Sequence, residues 1–216
     1  KKDLKLDLSG DLLTIAGADR VLLRTFGSSS ATPGSGFAPL LPRVAWASEV
    51  GGYDSLLGIA GLTVGNLGLL RRAAERGGVA GDWPLNVLNA QAAAQLASMG
   101  ADFVWASPEL SGRQLAGLAA ASPLPVGCVI WGRLELMVAE QCVLQAAGPC
   151  SRRCASCSRR AGWWRLRDQK GYEFPVTTDP SGRSHVMNSV TLDLVRALDE
   201  ILASGVAAVR VDFSDE

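Results

Sequence analysis

Residues 59–82 read IAGLTVGNLGLLRRAAERGGVAGD. An apolar run stops at Asn66, a residue able to cap a helix. LGLLRRAAERG then places apolar residues three and four apart, the spacing of one helix face. GVAGD is apolar again. The stretch therefore predicts strand, helix and strand, each strand short enough and apolar enough to be covered on both faces.

The same rhythm continues downstream. NAQAAAQLASMG predicts a helix closed by Gly100, ADFVWAS a strand, and GRQLAGLAAA a helix opened by Ser111. PVGCVIWGR follows as a strand. Near the end, TLDLVRALDEILASG predicts a helix stopped by Gly205, and VAAVRVDF a final strand. Strands alternating with helices build a parallel α/β sheet. TVGNLG lacks the glycine fingerprint of a dinucleotide fold, and the short units suit a (β/α) barrel. A complete barrel takes roughly 250 residues, so the expected fold class is α/β, a partial TIM-like barrel with a cysteine-rich insertion and a hairpin. Residues just past the strands would form its mouth: Asn66, Asp82, Ser107, Glu109, Arg133 and Glu135. Asn66 and Ser107 are expected to cap helices.

Upstream, RVLLRTF predicts a short strand, and GSSSATPGSG (27–36) has the composition of a flexible linker. Residues 1–36 are read as an N-terminal arm and linker. Residues 37–216 are read as the C-terminal portion of the barrel, with a cysteine-rich segment at 135–164. An open barrel leaves strand edges exposed, so a missing N-terminal half or a homo-oligomer is expected to cover them.

The chain is 48% hydrophobic and carries 21 basic and 21 acidic residues. Wholesale disorder and a globally basic nucleic-acid binder are excluded on those grounds. No apolar run is long enough for a membrane span. The N-terminus KKDLKLDLSGDLL has no signal-peptide pattern, so a cytoplasmic protein is expected. The first residue is not Met, which suggests a mature form or an excised piece.

Cys142, Cys150, Cys154 and Cys157 form C-x7-C-x3-C-x2-C. In a reducing compartment clustered thiols are metal ligands more often than disulfides. Four thiolates suit a 4Fe–4S cluster or structural zinc, and spacing does not choose between them. Arg152, Arg153, Arg159 and Arg160 surround the cysteines and would favour thiolate over thiol. With Trp163 and Trp164 they also interleave cations and aromatics, a pattern that suits phosphate contact and base stacking. Cys128, inside an apolar strand, reads as a small buried hydrophobe.

Much chemistry is absent. His185 is the only histidine, so no HExxH zinc motif exists. There is no GxSxG elbow and no Walker A loop. A hydrogen-bonded loop histidine is the plainer reading of His185.

GRLELMVAEQC, the cysteine run, LRDQKGYEFPV and GRSHVMNSVTLDL occur in that order. Together they resemble the collagenase-like peptidases of family U32. LTVGNLGLL, PLNVLNAQAAAQL and SPELSGRQL look like the barrel repeats of the same family, so the resemblance runs from about residue 40 to the C-terminus. It implies a TIM-like barrel and a cysteine site holding an iron–sulfur cluster. Some members take part in RNA base or quinone hydroxylation, and others are named as proteases. Many have a cysteine just before the arginine of the last block, where this chain has Gly182. The C-x3-C-x2-C run is then expected to supply the fourth thiol.

Within the late blocks, a hairpin is expected to turn at Lys170-Gly171. A loop would deliver Arg183, His185 and Asn188. Arg183 could grip a carboxylate or phosphate, and Asn188 could either touch substrate or cap the next helix. Arg183, His185, Asn188 and Glu135 are the catalytic candidates. Three readings stay open: an iron–sulfur-dependent enzyme acting on RNA or a small ring, a genuine collagenase-like peptidase with an unidentified nucleophile, and a zinc-stabilised module binding nucleic acid or a partner.

Overall fold

The computed structural model describes residues 37–213, together with Leu6–Asp7, Thr14–Ile15 and Val21–Arg24. Most of the expected arm and the whole expected linker, 27–36, lie outside the described residues. Leu6–Asp7 (β1) pairs antiparallel with Thr14–Ile15 (β2).

The rest is mixed α/β. Val21–Arg24 (β3) runs parallel to Phe37–Leu41 (β4), which leads through a helical turn, Ala47–Val50 (α1), to Thr63–Val64 (β5). Leu67–Ala74 (α2) returns the chain to Ala80–Gly81 (β6), and Ala90–Ser98 (α3) to Phe103–Trp105 (β7). Gly112–Ala121 (α4) returns it to Val126–Gly132 (β8), again parallel. The sheet is curled into a half-barrel, as the alternation in sequence predicted.

Local chemistry explains the boundaries. The Asn66 side chain accepts from the N–H groups of Gly68 and Leu69 at 3.0 and 3.2 Å and starts α2. Asn89 does the same for α3 through Ala92 at 2.9 Å. Ser111, not Ser107, opens α4, with the Gln114 side chain accepting from the Ser111 N–H at 2.9 Å. Ser107 is buried and accepts from the Glu109 N–H at 3.4 Å, within a turn. Leu69, Leu70 and Ala73 form the inward face of α2 and join Leu62, Val64, Val79 and Val104 in one core. Cys128 is buried with them, as expected. Among the described residues no helix is long and apolar enough to cross a membrane.

After β8 the chain leaves the sheet and builds a second, antiparallel one. Its strands are Glu135–Ala139 (β9), Trp164–Arg167 (β10), Glu173–Thr178 (β11) and Ser184–Met187 (β12), in the order β10-β11-β12-β9. The β10–β11 hairpin turns as expected, with Gly171 at φ +88°.

The helix expected over residues 191–205 is corrected. Leu192–Asp193 (β13) is a strand antiparallel to β8, and only Leu198–Ala203 (α5) is α-helical. Pairing with Trp131 and Gly132 extends a segment whose periodicity alone is helical. Ala208–Val211 (β14) then lies parallel to β8.

Gly127 on β8 faces a tilted aromatic pair, Phe103 and Trp105, whose centroids are 5.1 Å apart. A Cβ there would sit 2.5 Å from the Trp105 ring and 2.8 Å from Phe103. Gly127→Ala is expected to cost about 1–3 kcal/mol by overpacking. A urea melt should show a lower midpoint with an unchanged slope.

Candidate functional site

Two concavities flank β12. One, of about 400 Å³, is walled by the cysteine segment, and Cys142, Cys150, Cys154 and Cys157 all line it. All four thiols are free. The segment folds into short 3-10 turns, Val143–Ala147, Cys154–Ser156 and Ser158–Ala161, with Cys142, Cys154 and Cys157 at their ends and Cys150 in the link between the first two. The turn holding Cys142 is tied to β12, because the Val143 N–H donates to Ser184 Oγ at 2.9 Å. Between Cys150 and Cys154 the chain winds through Arg152 at φ +58°, where the Arg152 N–H donates to Cys150 Sγ at 3.3 Å.

The donor set fits a thiolate-bound inorganic group in kind and number. Yet among the described residues no three Cys, His, Asp or Glu side chains are gathered tightly enough to hold one ion. All four thiols nonetheless line the one cavity.

The arginines do not play one role. Arg159 donates to the carbonyls of Leu144 (3.3 Å) and Gly148 (3.1 Å). Arg160 donates to those of Thr178 (2.9 Å), Cys154 (3.3 Å) and Ala155 (3.1 Å). Both are braces for the loop. Trp164 is half-buried and donates its indole N–H to the Arg159 carbonyl at 2.7 Å. Arg152, Arg153 and Trp163, the last 79% exposed, face solvent, as do Arg165, Arg167 and Lys170 further along the same basic run. Burial, then the charges of Cys142, Cys150, Cys157 and Asp179, push the Cys154 thiol up.

The second concavity is a narrow cleft at the carboxyl ends of the parallel strands, lined by Arg43, Asp82, Trp83, Glu135 and His185 among others. Ligand sites of parallel α/β sheets lie at that end. Glu135, at the start of β9, is buried between Arg43 Nε (2.9 Å) and His185 Nδ1 (2.7 Å). His185 Nε2 faces Asp179 at 3.5 Å. The only histidine is thus a buried bridge between two carboxylates.

Arg183 is committed as well. It donates to Glu49 (2.5 Å) and Glu140 (2.8 Å) and lies 3.5 Å from Asp179. The carboxylates that Arg183 grips are thus three of the chain's own. Asn188 neither caps a helix nor faces the cleft residues. Its side chain accepts from the Val190 N–H at 3.3 Å, and its carbonyl accepts from Arg133 at 3.0 Å.

Sequence reasoning missed Arg43, Asp179 and Arg210. Arg210 is buried in β14 between Asp82 (2.8 Å) and Asp212 (2.9 Å), with its guanidinium carbon 5.8 Å from the Trp105 ring centre. A charged residue inside the apolar run VAAVRVDF was the available signal.

The sequence profile of peptidase family U32 matches residues 55–213, which include both concavities apart from the β4 end. The chain belongs to peptidase family U32. A solved structure, that of the U32 peptidase Mk0906, is similar to this family member, with a TM-score of 0.42 and 12% identity over 54% of this chain and 62% of that one. The chain therefore spans less than two thirds of the length of that solved protein. No curated protein matches it.

Proposed function

We propose that this U32 chain is a cytoplasmic iron–sulfur-dependent enzyme built on a partial (β/α) barrel, acting on RNA or a small ring to be hydroxylated. Cys142, Cys150, Cys154 and Cys157 would hold a 4Fe–4S cluster. The observation that carries the reading is that all four thiols line one cavity. A 4Fe–4S cluster takes one thiolate per iron, which matches four cysteines in number. A single zinc ion, the alternative occupant, needs every sulfur about 2.3 Å from one point. When bound, such a cluster supplies one-electron transfer.

The chain's own residues supply the rest. Arg159 and Arg160 brace the cysteine turns. Trp163, Arg152 and Arg153, exposed beside the cavity, suit stacking on a base and contact with phosphate.

The test is anaerobic purification with iron and acid-labile sulfide analysis. Wild type is expected to be brown with near-stoichiometric iron and sulfide, and Cys142→Ala colourless. Colourless wild type carrying one zinc per chain would replace this reading with a zinc-stabilised binding module.

The Glu135–His185 pair in the cleft supports a second reading, a peptidase in which that pair activates water. Under it, peptide hydrolysis is lost in His185→Asn and survives Cys142→Ala.

A further inference from the structure

The tip of the β11–β12 hairpin is Asp179-Pro180-Ser181-Gly182. The Gly182 N–H donates to the Asp179 carbonyl at 3.0 Å, and Gly182 takes φ +91°. That conformation alone asks for glycine. The space beside it asks for glycine a second time. A Cβ on Gly182 would lie 2.7 Å from Cys154 Sγ and 3.4 Å from Cys154 Cβ. The sulfur of Cys154 therefore occupies the place where residue 182 would carry a side chain.

The backbone around Cys154 is fastened to the same tip. Arg160 donates its Nε–H to the Thr178 carbonyl at 2.9 Å and its Nη1 to the carbonyls of Cys154 and Ala155. One guanidinium thus bridges the end of β11 and the turn that bears the thiol. The turn beginning after Cys142 is fastened to the other strand of this hairpin, because the Val143 N–H donates to Ser184 Oγ. Cys150, in contrast, is exposed and is held by the adjacent Arg152 N–H.

We propose that Gly182 is the seat of the Cys154 sulfur. The bare hairpin tip fixes where that thiol points, and through it makes Cys154 an obligatory ligand of the inorganic centre. Gly182 is a positioning residue, acting through Cys154 alone. The inference rests on the reading of the four thiols as ligands, and it adds that the centre's completeness is set from the hairpin tip.

Two variants test it, each checked by circular dichroism for an intact fold. Cys154→Ser leaves the turn and the seat in place. Gly182→Ala leaves all four thiols but fills the seat.

After anaerobic loading with iron and sulfide, Cys154→Ser is expected to lose the wild-type absorption and its iron as fully as Cys142→Ser does. Gly182→Ala should lose iron to a chelator roughly 10–100-fold more readily than wild type, the range for residues that orient a ligand. Without any metal, Gly182→Ala should also speed alkylation of Cys154 by iodoacetamide, read by mass spectrometry, while Cys142 is unchanged.

If wild type takes up no iron and sulfide, the ligand reading falls and this inference falls with it. If wild type loads and Cys154→Ser loads equally, only the present inference is overturned. Unchanged alkylation in a folded Gly182→Ala removes the seat. Should Gly182→Ala not fold, Cys154→Ser decides alone.

Discussion

Replacing Arg210 with Leu is expected to destabilise the chain by about 3–5 kcal/mol, the cost of stripping a buried ion pair of one partner. Arg210 is 8% exposed and lies between Asp82, which is more enclosed still, and Asp212, which is slightly more open. Without the guanidinium, two carboxylates stay in a poorly solvated interior with their hydrogen bonds unmade. Lys would not substitute fully, because a point charge cannot serve two carboxylates and lie against Trp105 as a planar group does. Guanidinium unfolding measures the loss. The double variant Arg210→Leu with Asp82→Leu should recover part of it, because the cost comes from the stranded charge. A loss below about 1 kcal/mol for the single variant would contradict this account of the β14 end of the sheet.

The second large effect belongs to Arg183→Met, expected to cost about 3 kcal/mol near neutral pH. Glu140 is half exposed and contributes least, since solvent screens it. Asp179 and Glu49 matter more. Burial works to raise the Asp179 carboxyl, but hydrogen bonds from His185 and the Arg183 backbone, with the charges of both residues, outweigh it and leave the group below its ordinary 3.8. Glu49 is likewise held below its ordinary 4.5, with burial opposed chiefly by the hydrogen bond from Arg183.

The sign follows from those directions. A carboxyl that ionises more readily in the folded state adds stability above its unfolded value, and that stability is lost as pH falls through the folded value. Wild type should therefore lose stability as pH drops below 4.5 and then 3.8. Arg183→Met should lose less over the same range, so the gap between the two proteins narrows in acid. Thermal melts from pH 7 to 3 check this, and a constant gap would refute it.

Much of the sheet was legible because its signals are local. Asn66, Asn89 and Ser111 announce helices by their own chemistry, and Gly100 ends one at φ +96°. Of the second sheet only the β10–β11 hairpin was legible. Glu135 and His185 meet across 50 residues through the β9–β12 ladder, and LELMVA carries no mark of its partner. Leu192–Asp193 shows the same limit, since an apolar period read as helix is overruled by pairing to β8.

The cysteines were legible as a cluster in sequence, and all four line one cavity. The arginines were not, because counting charges cannot reveal that Arg159 and Arg160 spend their protons on carbonyls. The partners of Arg183 were hidden for a related reason. Its acceptors Glu49 and Glu140 come from distant segments, and nothing near GRSH foretells them.

β8 takes β7 on one flank and β14 on the other, and residues 133–207 intervene before that second flank is supplied. In kinetic terms, the longest sheet strand must wait for a distant segment. Closing that long circuit loses chain entropy before any contact repays it. Refolding is expected to be limited by the docking of β14. A nascent chain arrested before Ala208 would present the naked rim of β8, the hazard chaperones exist to shield.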